Sequence, residues 1–501
     1  MFALVNGSVY GYDRDVARYV RHDTLVVDGD TVRSLRFDDV GAGIERIDLD
    51  GRFVFPAFAD AHVHLTDTGR VIGVRDLSAV RSYDAFAEAI ARLPRGQAFL
   101  VAGKYDDARW VDGREADARP LVASFADARA LIVRVDAHSC LVSPRTFAEL
   151  DLPPQTRGIE RDAGGAPTLR LFHEANWIAQ SRYIAAIPLT ERRAAEARAV
   201  GLALSMGALH LHVQLLGFGD RDSYAAEIAA LSAAGPAKYA PKVCELDPLL
   251  ARDLGLPYVG GDLFLDGSIG SGTAALCAPY ADREGRGSLR YSDAELTAFY
   301  ARAASLNVAA GVHAIGDAAI EQSLRACESV LGDTPSQSRH FIEHFEMASA
   351  EQIARAARLG LVLSMQPQFD ATWGSPGGMY ERRLGWDRAR TMNPIASALR
   401  AGAVVAGGDD SPVCELSPLT GMDAAMRHHE PSERVDAHQA LAMYTRAPAY
   451  LARNETTTGD LAPGMRADFV ILDRDIIADS SFATARVLET WRDGHCVYAR
   501  T

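Results

Sequence analysis

The stretch FPAFADAHVHL, Phe55 to Leu65, places two histidines, His62 and His64, one residue apart at the end of an apolar run. In a β-strand alternate side chains share a face, so these imidazoles would point the same way, about 7 Å apart along the backbone. On a helix the same spacing would set them on nearly opposite sides. The short apolar run and Pro56 favour an extended segment. Two imidazoles on one face can bind one metal ion, although an isolated HxH is equally well a pair of core or surface histidines.

The rest of the chain alternates helical stretches with short apolar runs from about Leu189 onward. Counting FVFPAFA as the first, there are eight strand candidates, of which the other seven lie in ALHLHVQL, AKYAPKVCEL, GGDLFLDGS, VAAGVHAIG, RHFIEHF, LVLSMQP and AVVAGGDD. Repeated βα units indicate a parallel sheet covered by helices, and eight of them favour a closed barrel. The stretch from about 68 to 188 interrupts this rhythm and is predicted to be an insertion after the first strand.

The two ends of the chain have a different pattern. The first 50 residues combine alternating apolar residues with NG and DG turns, and ADFVILDRD and HCVYAR near the other end read the same way. Both patterns are typical of antiparallel β-structure. We therefore expect the two ends to pair into one small sheet domain beside the barrel.

Composition narrows the class of protein. A formal net charge of -14 over 501 residues argues against a general nucleic-acid binder, which normally presents a basic face. We see no signal-peptide pattern and no apolar run long enough to cross a membrane, so a soluble, cytoplasmic protein is expected. The six cysteines have no paired spacing, which fits reduced thiols. A small-molecule substrate is the expected partner, and the sequence does not decide whether the chain forms a homo-oligomer.

Polar residues stand where several predicted strands end, which in a barrel of this type is the active face. His62 and His64 close the first strand, His313 the fifth, His344 the sixth and Asp410 the eighth. Histidines scattered through a core would occupy equivalent places in separate βα units only by accident. Imidazoles together with a carboxylate suit zinc, with iron or manganese as alternatives.

At this point the chain resembles the amidohydrolase superfamily, and within it the YtcJ-like branch that includes N-substituted formamide deformylases. The resemblance runs nearly end to end, through FPAFADAHVHL, LFLDGSIGSGTAAL, HAIGDAAI, RHFIEHFE, SMQPQF, GGDDSPV and TGDLAPGMRADFVILDRD. It implies an α/β fold, a distorted (β/α)8 TIM barrel with a small β-sandwich domain built from both termini. The sandwich would comprise residues 1–55 and 452–501, and the barrel residues 56–451. It also implies a divalent metal, usually zinc, held by residues that align with His62, His64, His313, His344 and Asp410.

The chain departs from that family in one respect. Many members carry a carboxylated lysine on strand four that bridges two metals, and here GGDLFLDGS places Asp262 there. An aspartate is several bonds shorter and is not expected to reach both metals unaided. Of the three lysines in the chain, Lys242 near strand three is a candidate carbamate, with an ordinary core-edge or surface lysine as the alternative. One metal ion is therefore favoured over two.

The expected mechanism assigns catalytic roles to Asp410 and His344. Asp410 would take the proton of the attacking water and pass it to the leaving nitrogen, and His344 would hydrogen-bond the water or the developing oxyanion if no second metal is present. The neighbouring Asp409 is the competing assignment for the carboxylate. Strand alternation predicts that Glu343, directly before His344, faces the other way.

Weaker predictions concern residues that would touch the substrate. They lie in the GKYDDARW segment, in VDAHSCLVS, on the second strand, and in the loop after strand four, where glycines permit close backbone approach. The candidates are Tyr105, Asp106, Trp110, His138, His212, Asp262 and Asp266.

The predicted function is hydrolysis of a carbon–nitrogen bond, of amide or N-formyl type, in a small molecule. A metal-dependent deaminase is the nearest alternative, in which the same activated water attacks a ring or amidine carbon. A non-catalytic small-molecule binding homologue is the alternative from another class.

Overall fold

A computed structural model describes residues 1–41, 43–71, 75–96, 99–215, 219–332, 337–480 and 482–500. Its centre is a sheet of eight parallel strands in sequential order. We number these barrel strands 1 to 8: Phe58–Val63, Ala208–Leu215, Lys238–Val243, Tyr258–Val259, Ala309–Ala314, Phe341–His344, Val362–Met365 and Val404–Gly407.

The two edges of this sheet meet just beyond barrel strands 1 and 8. Asp410 N donates to His62 O at 2.8 Å, and His64 N donates to Ser411 O at 2.9 Å. The predicted (β/α)8 barrel is confirmed, and its closure brings the ends of the first and last strands together.

Two barrel strands differ from their predicted positions. Within FVFPAFA, Phe53–Pro56 pairs with the terminal sheet, and the barrel strand begins only at Phe58. Strand 4 is Tyr258–Val259, ahead of the predicted GGDLFLDGS, because Gly260 and Gly261 take φ values of 84° and 96° and interrupt it. A Cβ at Gly260 would lie 1.9 Å from Gly311 O, so only glycine fits this break.

The chain resumes its path beside strand 5 after that break. His313 N donates to Leu263 O at 3.1 Å, and Leu265 N donates to His313 O at 3.0 Å. These hydrogen bonds hold the segment after the break beside strand 5, with Asp262 at the mouth of the barrel.

Helices surround the barrel and cover its mouth. Those from residue 189 onward are Leu189–Ser205, Arg221–Ala234, Pro248–Asp253, Asp293–Ser305, Asp317–Leu331, Ala350–Arg358, Pro367–Trp373, Met379–Leu384, Trp386–Ala389, Ile395–Arg400, Pro418–Met426, Ala437–Met443 and Arg446–Leu451. Among the described residues, no helix combines the length and apolar character that crossing a bilayer requires.

Both ends of the chain build β-structure beside the barrel. One sheet contains Phe2–Val5, Leu25–Asp28, Thr31–Ser34 and Glu45–Asp48. The other combines strands from both ends: Ser8–Asp13, Arg18–His22, Phe53–Pro56, Phe469–Leu472, Val487–Arg492 and His495–Ala499. The predicted domain boundaries near residues 55 and 452 remain a proposal.

The segment between barrel strands 1 and 2 has a mixed six-stranded sheet of its own. Its strands are Arg75–Asp76, Leu100–Tyr105, Ala130–Arg134, Ser139–Val142, Ile159–Arg161 and Pro167–Phe172. Its helices are Leu65–Val71, Tyr83–Ala91, Arg119–Phe125, Pro144–Leu150 and His173–Ala185. Part of this sheet stands over the barrel mouth and forms one wall of the cavity described below.

Candidate active site

Four histidines and two aspartates converge at the barrel mouth, and we call them the mouth cluster: His62, His64, Asp262, His313, His344 and Asp410. Asp262 lies at its centre. Its Oδ2 is 3.3 Å from His62 Nε2 and 3.0 Å from His64 Nε2. Its Oδ1 is 3.5 Å from His313 Nδ1 and 3.6 Å from His344 Nε2. Asp262, which follows the Gly260–Gly261 break, thus lies within 3.6 Å of a ring nitrogen of all four histidines, while its reach toward two metals stays untested.

Asp410 completes the first half of the cluster. Its Oδ1 is 3.3 Å from His62 Nε2 and 3.1 Å from His64 Nε2. Ligand atoms at about 2.1 Å from a tetrahedral ion are about 3.4 Å from one another. The distances from His62 Nε2 and His64 Nε2 to the two aspartates match this spacing. Three groups of the cluster have ligand atoms close enough for one ion: His62, His64 and Asp262; His62, His344 and Asp410; and Asp262, His313 and His344.

Several of these donor atoms are buried without a hydrogen-bond partner among the described residues. They are His62 Nε2, Asp262 Oδ1, His313 Nδ1 and Asp410 Oδ1. Buried polar atoms are costly unless they are satisfied. A divalent cation satisfies such buried nitrogen and oxygen atoms when it binds to them, so the donor set fits a metal of the zinc type.

Neighbouring acceptors orient two of the histidines for such a role. His62 Nδ1 is 2.8 Å from Glu343 Oε2, and His344 Nδ1 is 2.8 Å from Gln366 Oε1. A carboxylate and an amide oxygen accept hydrogen bonds, so each imidazole proton belongs on Nδ1. The Nε2 lone pairs therefore face the mouth cluster, which is the usual arrangement of metal-binding histidines.

Glu343 faces the barrel interior, contrary to the prediction from alternation. His344 has φ of 72° and Phe345 has φ of 52°, so the strand ends with a left-handed turn. This turn lets Glu343 and His344, adjacent in sequence, both reach the same site. Asp410, with φ of 50°, is held in the same sparsely populated region.

Beneath His62, Glu343 belongs to a fully buried polar network. Lys242 Nζ donates to Glu343 Oε1 at 2.5 Å and to Ala61 O at 2.7 Å. Gln214 Nε2 donates to the same carboxylate oxygen at 3.1 Å. A carbamate on Lys242 would bring a second anion against Glu343 and remove one of the two donated protons. These contacts do not suit the carbamate predicted for Lys242, and Lys242 is the counter-ion of Glu343.

The electrostatics of the cluster favour a cation. Burial lowers the pKa of His62, but Asp262, Glu343 and Asp410 outweigh it and raise that pKa well above its usual value. Burial raises the pKa of Asp410, yet His62 and His64 lower it below the usual range. Three buried carboxylates lie within 3.3 Å of the ring nitrogens of His62, and Lys242 balances only one of them. Two negative charges are left, which is the charge that one divalent ion carries.

Asp409 has a different environment from Asp410. Its carboxylate accepts from Ser417 N at 2.7 Å, Gln368 Nε2 at 3.0 Å and the Tyr444 hydroxyl at 3.2 Å. Burial and the nearby Asp60 raise its pKa well above the usual value. Asp409 thus anchors the loop after strand 8, whereas Asp410 faces the histidines.

A mostly apolar cavity opens above the mouth cluster, lined by side chains from the barrel loops and the insertion. On one side Trp177 packs against Phe264 with ring centroids 4.3 Å apart, and the His138 ring lies 5.1 Å from that of His313. On the other side the Phe369 ring stacks with that of His344, and Trp373 packs against Phe369. The structure therefore places His138 on the cavity wall, and its contact with substrate stays a prediction.

Other predicted substrate contacts do not line this cavity among the described residues. Tyr105 and Trp110 are buried in the core of the insertion. Asp106 accepts from Trp373 Nε1 at 2.9 Å, so it positions a cavity residue from behind. Asp266 accepts three backbone N–H bonds, from Ala275, Ile315 and Gly316. His212 lies deeper in the barrel, its ring 6.2 Å from that of Tyr258.

Several polar residues of the site were absent from the sequence-based prediction. Gln214 lies two residues after His212 on the same strand face, and Gln366 directly follows strand 7. The strand-end rule that found the histidines could have found both glutamines. Glu346 lines the cavity, accepts from the Tyr380 hydroxyl at 2.6 Å, and has its pKa raised by burial to about 7.

Comparison with known proteins agrees with this geometry. A family model described as "Amidohydrolase family" matches residues 45–498. The chain belongs to the amidohydrolase family.

Curated relatives include a putative amidohydrolase YtcJ from Bacillus subtilis (strain 168), which is 28% identical over 496 residues and covers 91% of both chains. They also include an N-substituted formamide deformylase from Arthrobacter pascens, 27% identical over 515 residues, covering 91% of this chain and 90% of the relative.

Among solved structures, an uncharacterized metal-dependent hydrolase from Pyrococcus furiosus is similar, with a TM-score of 0.71 and 25% identity, over 95% of this chain and 99% of that one. A 5-methylcytosine deaminase from Klebsiella pneumoniae shares the fold at a TM-score of 0.58 and 14% identity, over 100% of this chain and 98% of that one. The family and its relatives support a metal-dependent hydrolytic enzyme that acts on small molecules.

Proposed function

We propose that the protein hydrolyses a carbon–nitrogen bond, of amide or N-formyl type, in a small molecule. The observation that carries this proposal is the position of Asp410, whose unpartnered Oδ1 lies within 3.3 Å of both His62 Nε2 and His64 Nε2 at the floor of an apolar cavity. A relative named N-substituted formamide deformylase supports the choice of bond.

A divalent metal, with zinc favoured, would be held by His62, His64, Asp262 and Asp410, with His313 and His344 as the further predicted ligands of the mouth cluster. Charge balance supports one ion rather than two, because one divalent ion offsets the two carboxylates that Lys242 does not balance. When bound, the ion supplies Lewis acidity, which lowers the pKa of a water molecule and polarises a substrate carbonyl.

The side chains of the mouth cluster would divide the proton transfers. Asp410, whose pKa is lowered below the usual range, is ionised at neutral pH and can accept a proton from the attacking water. The same carboxyl group would then return that proton to the leaving nitrogen. His344, with its Nδ1 proton fixed on Gln366, is positioned to interact through Nε2.

The apolar walls would exclude bulk water from the reacting bond and hold the substrate body. His138 contributes an edge to this wall, and burial lowers its pKa, so it stays neutral beside the cluster. The cytoplasm is the proposed compartment, in keeping with the six free thiols.

The experiment is hydrolysis of an amide panel by zinc-loaded protein, with product analysis. We expect a carboxylic acid or formate together with an amine, in equal amounts, and loss of turnover after chelation. Release of ammonia with no acid would identify a deaminase instead. Stoichiometric metal without turnover of any amide or amidine would favour a binding protein.

A further inference from the structure

Lys104 occupies an irregular position in the insertion strand Leu100–Tyr105. This strand pairs in parallel with Ala130–Arg134, and the register shifts between Gly103 and Tyr105, so Lys104 is an extra residue. Its φ is 65°, a left-handed conformation that non-glycine residues seldom adopt. Bulges of this kind re-aim a side chain, and they occur often beside active sites. Here the bulge places Lys104 on the wall of the same cavity that His64 and Asp410 line.

The two arginines that line the cavity are neutralised by carboxylates. Arg70 Nη1 donates to Asp67 Oδ1 at 2.8 Å, and its guanidinium stacks on Tyr183. Arg134 contacts three aspartates: Asp106, Asp107 and Asp136.

Lys104 differs from these arginines. Within the described part of the chain it has no ion pair and no hydrogen bond, although its side chain is partly buried. The other two lysines do have carboxylate partners, Asp468 for Lys238 and Glu343 for Lys242. A partly desolvated ammonium without a counter-ion is unfavourable, so this position calls for an external anion.

The carboxylates on the cavity wall have other partners. Asp136 Oδ2 accepts from Arg134, Ser268 and Ser271, at 2.6 to 2.8 Å. Glu346 accepts from the Tyr380 hydroxyl, and Asp67 pairs with Arg70. Apart from Asp262 and Asp410, which belong to the mouth cluster, these described carboxylates of the cavity are thus partnered, and Lys104 is the cation on the cavity wall that has no partner among the described residues.

We propose that Lys104 binds an anionic group of the substrate, a carboxylate in the simplest case. The inference rests on the proposed function and specifies its substrate class: an amide with an apolar body, which fits Phe369 and Trp373, and an acidic terminus. Lys104 contributes binding and selectivity, while the mouth cluster performs the hydrolysis.

A matched pair of amides tests this proposal: 4-formamidophenylacetate and its methyl ester, which differ in the anionic charge. The measurement is the ratio of kcat/KM for the acid to kcat/KM for the ester, with zinc-loaded protein. We expect Lys104→Met to lower this ratio by about tenfold or more, mainly through KM for the acid, because a charged hydrogen bond is lost. Lys104→Arg should restore most of it. Lys238→Met, which removes a lysine outside the cavity, should leave the ratio as in the wild type.

Equilibrium binding of both compounds to the zinc-loaded protein provides a second measurement that does not need turnover. If neither amide is hydrolysed but the acid binds more tightly than the ester and loses this advantage in Lys104→Met, the proposed reaction fails and the anion site stands. An equal effect of Lys104→Met on both compounds, or no preference of the wild type for the acid, would overturn the role of Lys104.

Discussion

Lys242 Nζ lies 2.5 Å from Glu343 Oε1, and both side chains are completely buried below the mouth cluster. The other oxygen of the same carboxylate is 2.8 Å from His62 Nδ1. The pair thus joins the barrel interior to a candidate metal ligand. Burial raises the pKa of Glu343, but Lys242 and His62 outweigh this and hold it below the usual range.

Removing either charge of this pair should be costly. We expect Glu343→Gln and Lys242→Met each to lower the free energy of unfolding by about 3–5 kcal/mol, because the remaining group is left buried and unpaired. The double variant should lose less than the sum of the two. Denaturant unfolding measures all three. Glu149→Gln, which breaks exposed pairs with Arg129 and Arg145, is the control and should change stability by about 1 kcal/mol or less.

Metal affinity provides an independent measure of the same contact. Glu343→Gln should weaken zinc binding by about 10–100-fold, because His62 loses the carboxylate that fixes its tautomer. Competition with a chelator measures this affinity. An unchanged affinity in a folded variant would contradict the orienting role of Glu343.

The barrel and the four histidines were predictable because both leave local signals. Alternating helix and strand patterns require no knowledge of long-range contacts, and the parallel order places all strand ends at one face. Four histidines stand at the ends of predicted strands: His62, His64, His313 and His344. Their common position at one face of the barrel therefore follows from the sequence pattern.

The position of Asp262 was not predictable in the same way. It depends on two positive-φ glycines that interrupt strand 4, and a sequence pattern does not reveal where a strand breaks. The orientation of Glu343 depends on the left-handed turn at His344, which reverses simple alternation. Tyr105 and Trp110 lie in a segment with aromatic residues that suit a lid or a core equally well, and only packing decides between them.

Loss of the first histidine pair should remove the metal. In His62→Ala with His64→Ala, two of the four proposed ligands disappear, and only Asp262 and Asp410 remain. We expect zinc content to fall from one ion per chain to background, together with complete loss of turnover. Elemental analysis measures the metal, and two ions per wild-type chain would contradict the single-ion proposal. His495→Ala, on an exposed edge strand, is the matched control and should keep its metal.

A buried carboxyl pair away from the site predicts a pH dependence of stability. Burial and the neighbouring Glu227 raise the pKa of Glu196 to about 8, from an ordinary 4.5. The folded state therefore binds more protons than the unfolded state between these values, and stability should fall as pH rises through this window. We expect Glu196→Gln to be more stable than the wild type at pH 9, with this advantage shrinking toward pH 5.

Denaturation midpoints measured across that range test the assignment. Glu191→Gln, an exposed change on the same helix, should show no such trend. A constant offset between Glu196→Gln and the wild type at every pH would contradict a raised pKa.

The two adjacent aspartates after strand 8 should have separable effects. Asp410→Asn keeps the shape of the side chain but removes the proton acceptor, so kcat should fall by about 10²–10⁴-fold in protein whose metal content has been verified. Asp409→Asn should act on stability instead, because Ser417 N, Gln368 and Tyr444 already occupy that carboxylate. Steady-state kinetics and unfolding of both variants make the comparison. If Asp410→Asn turns over normally while Asp409→Asn is folded and inactive, the base is Asp409 and the geometry of the mouth cluster has been misassigned.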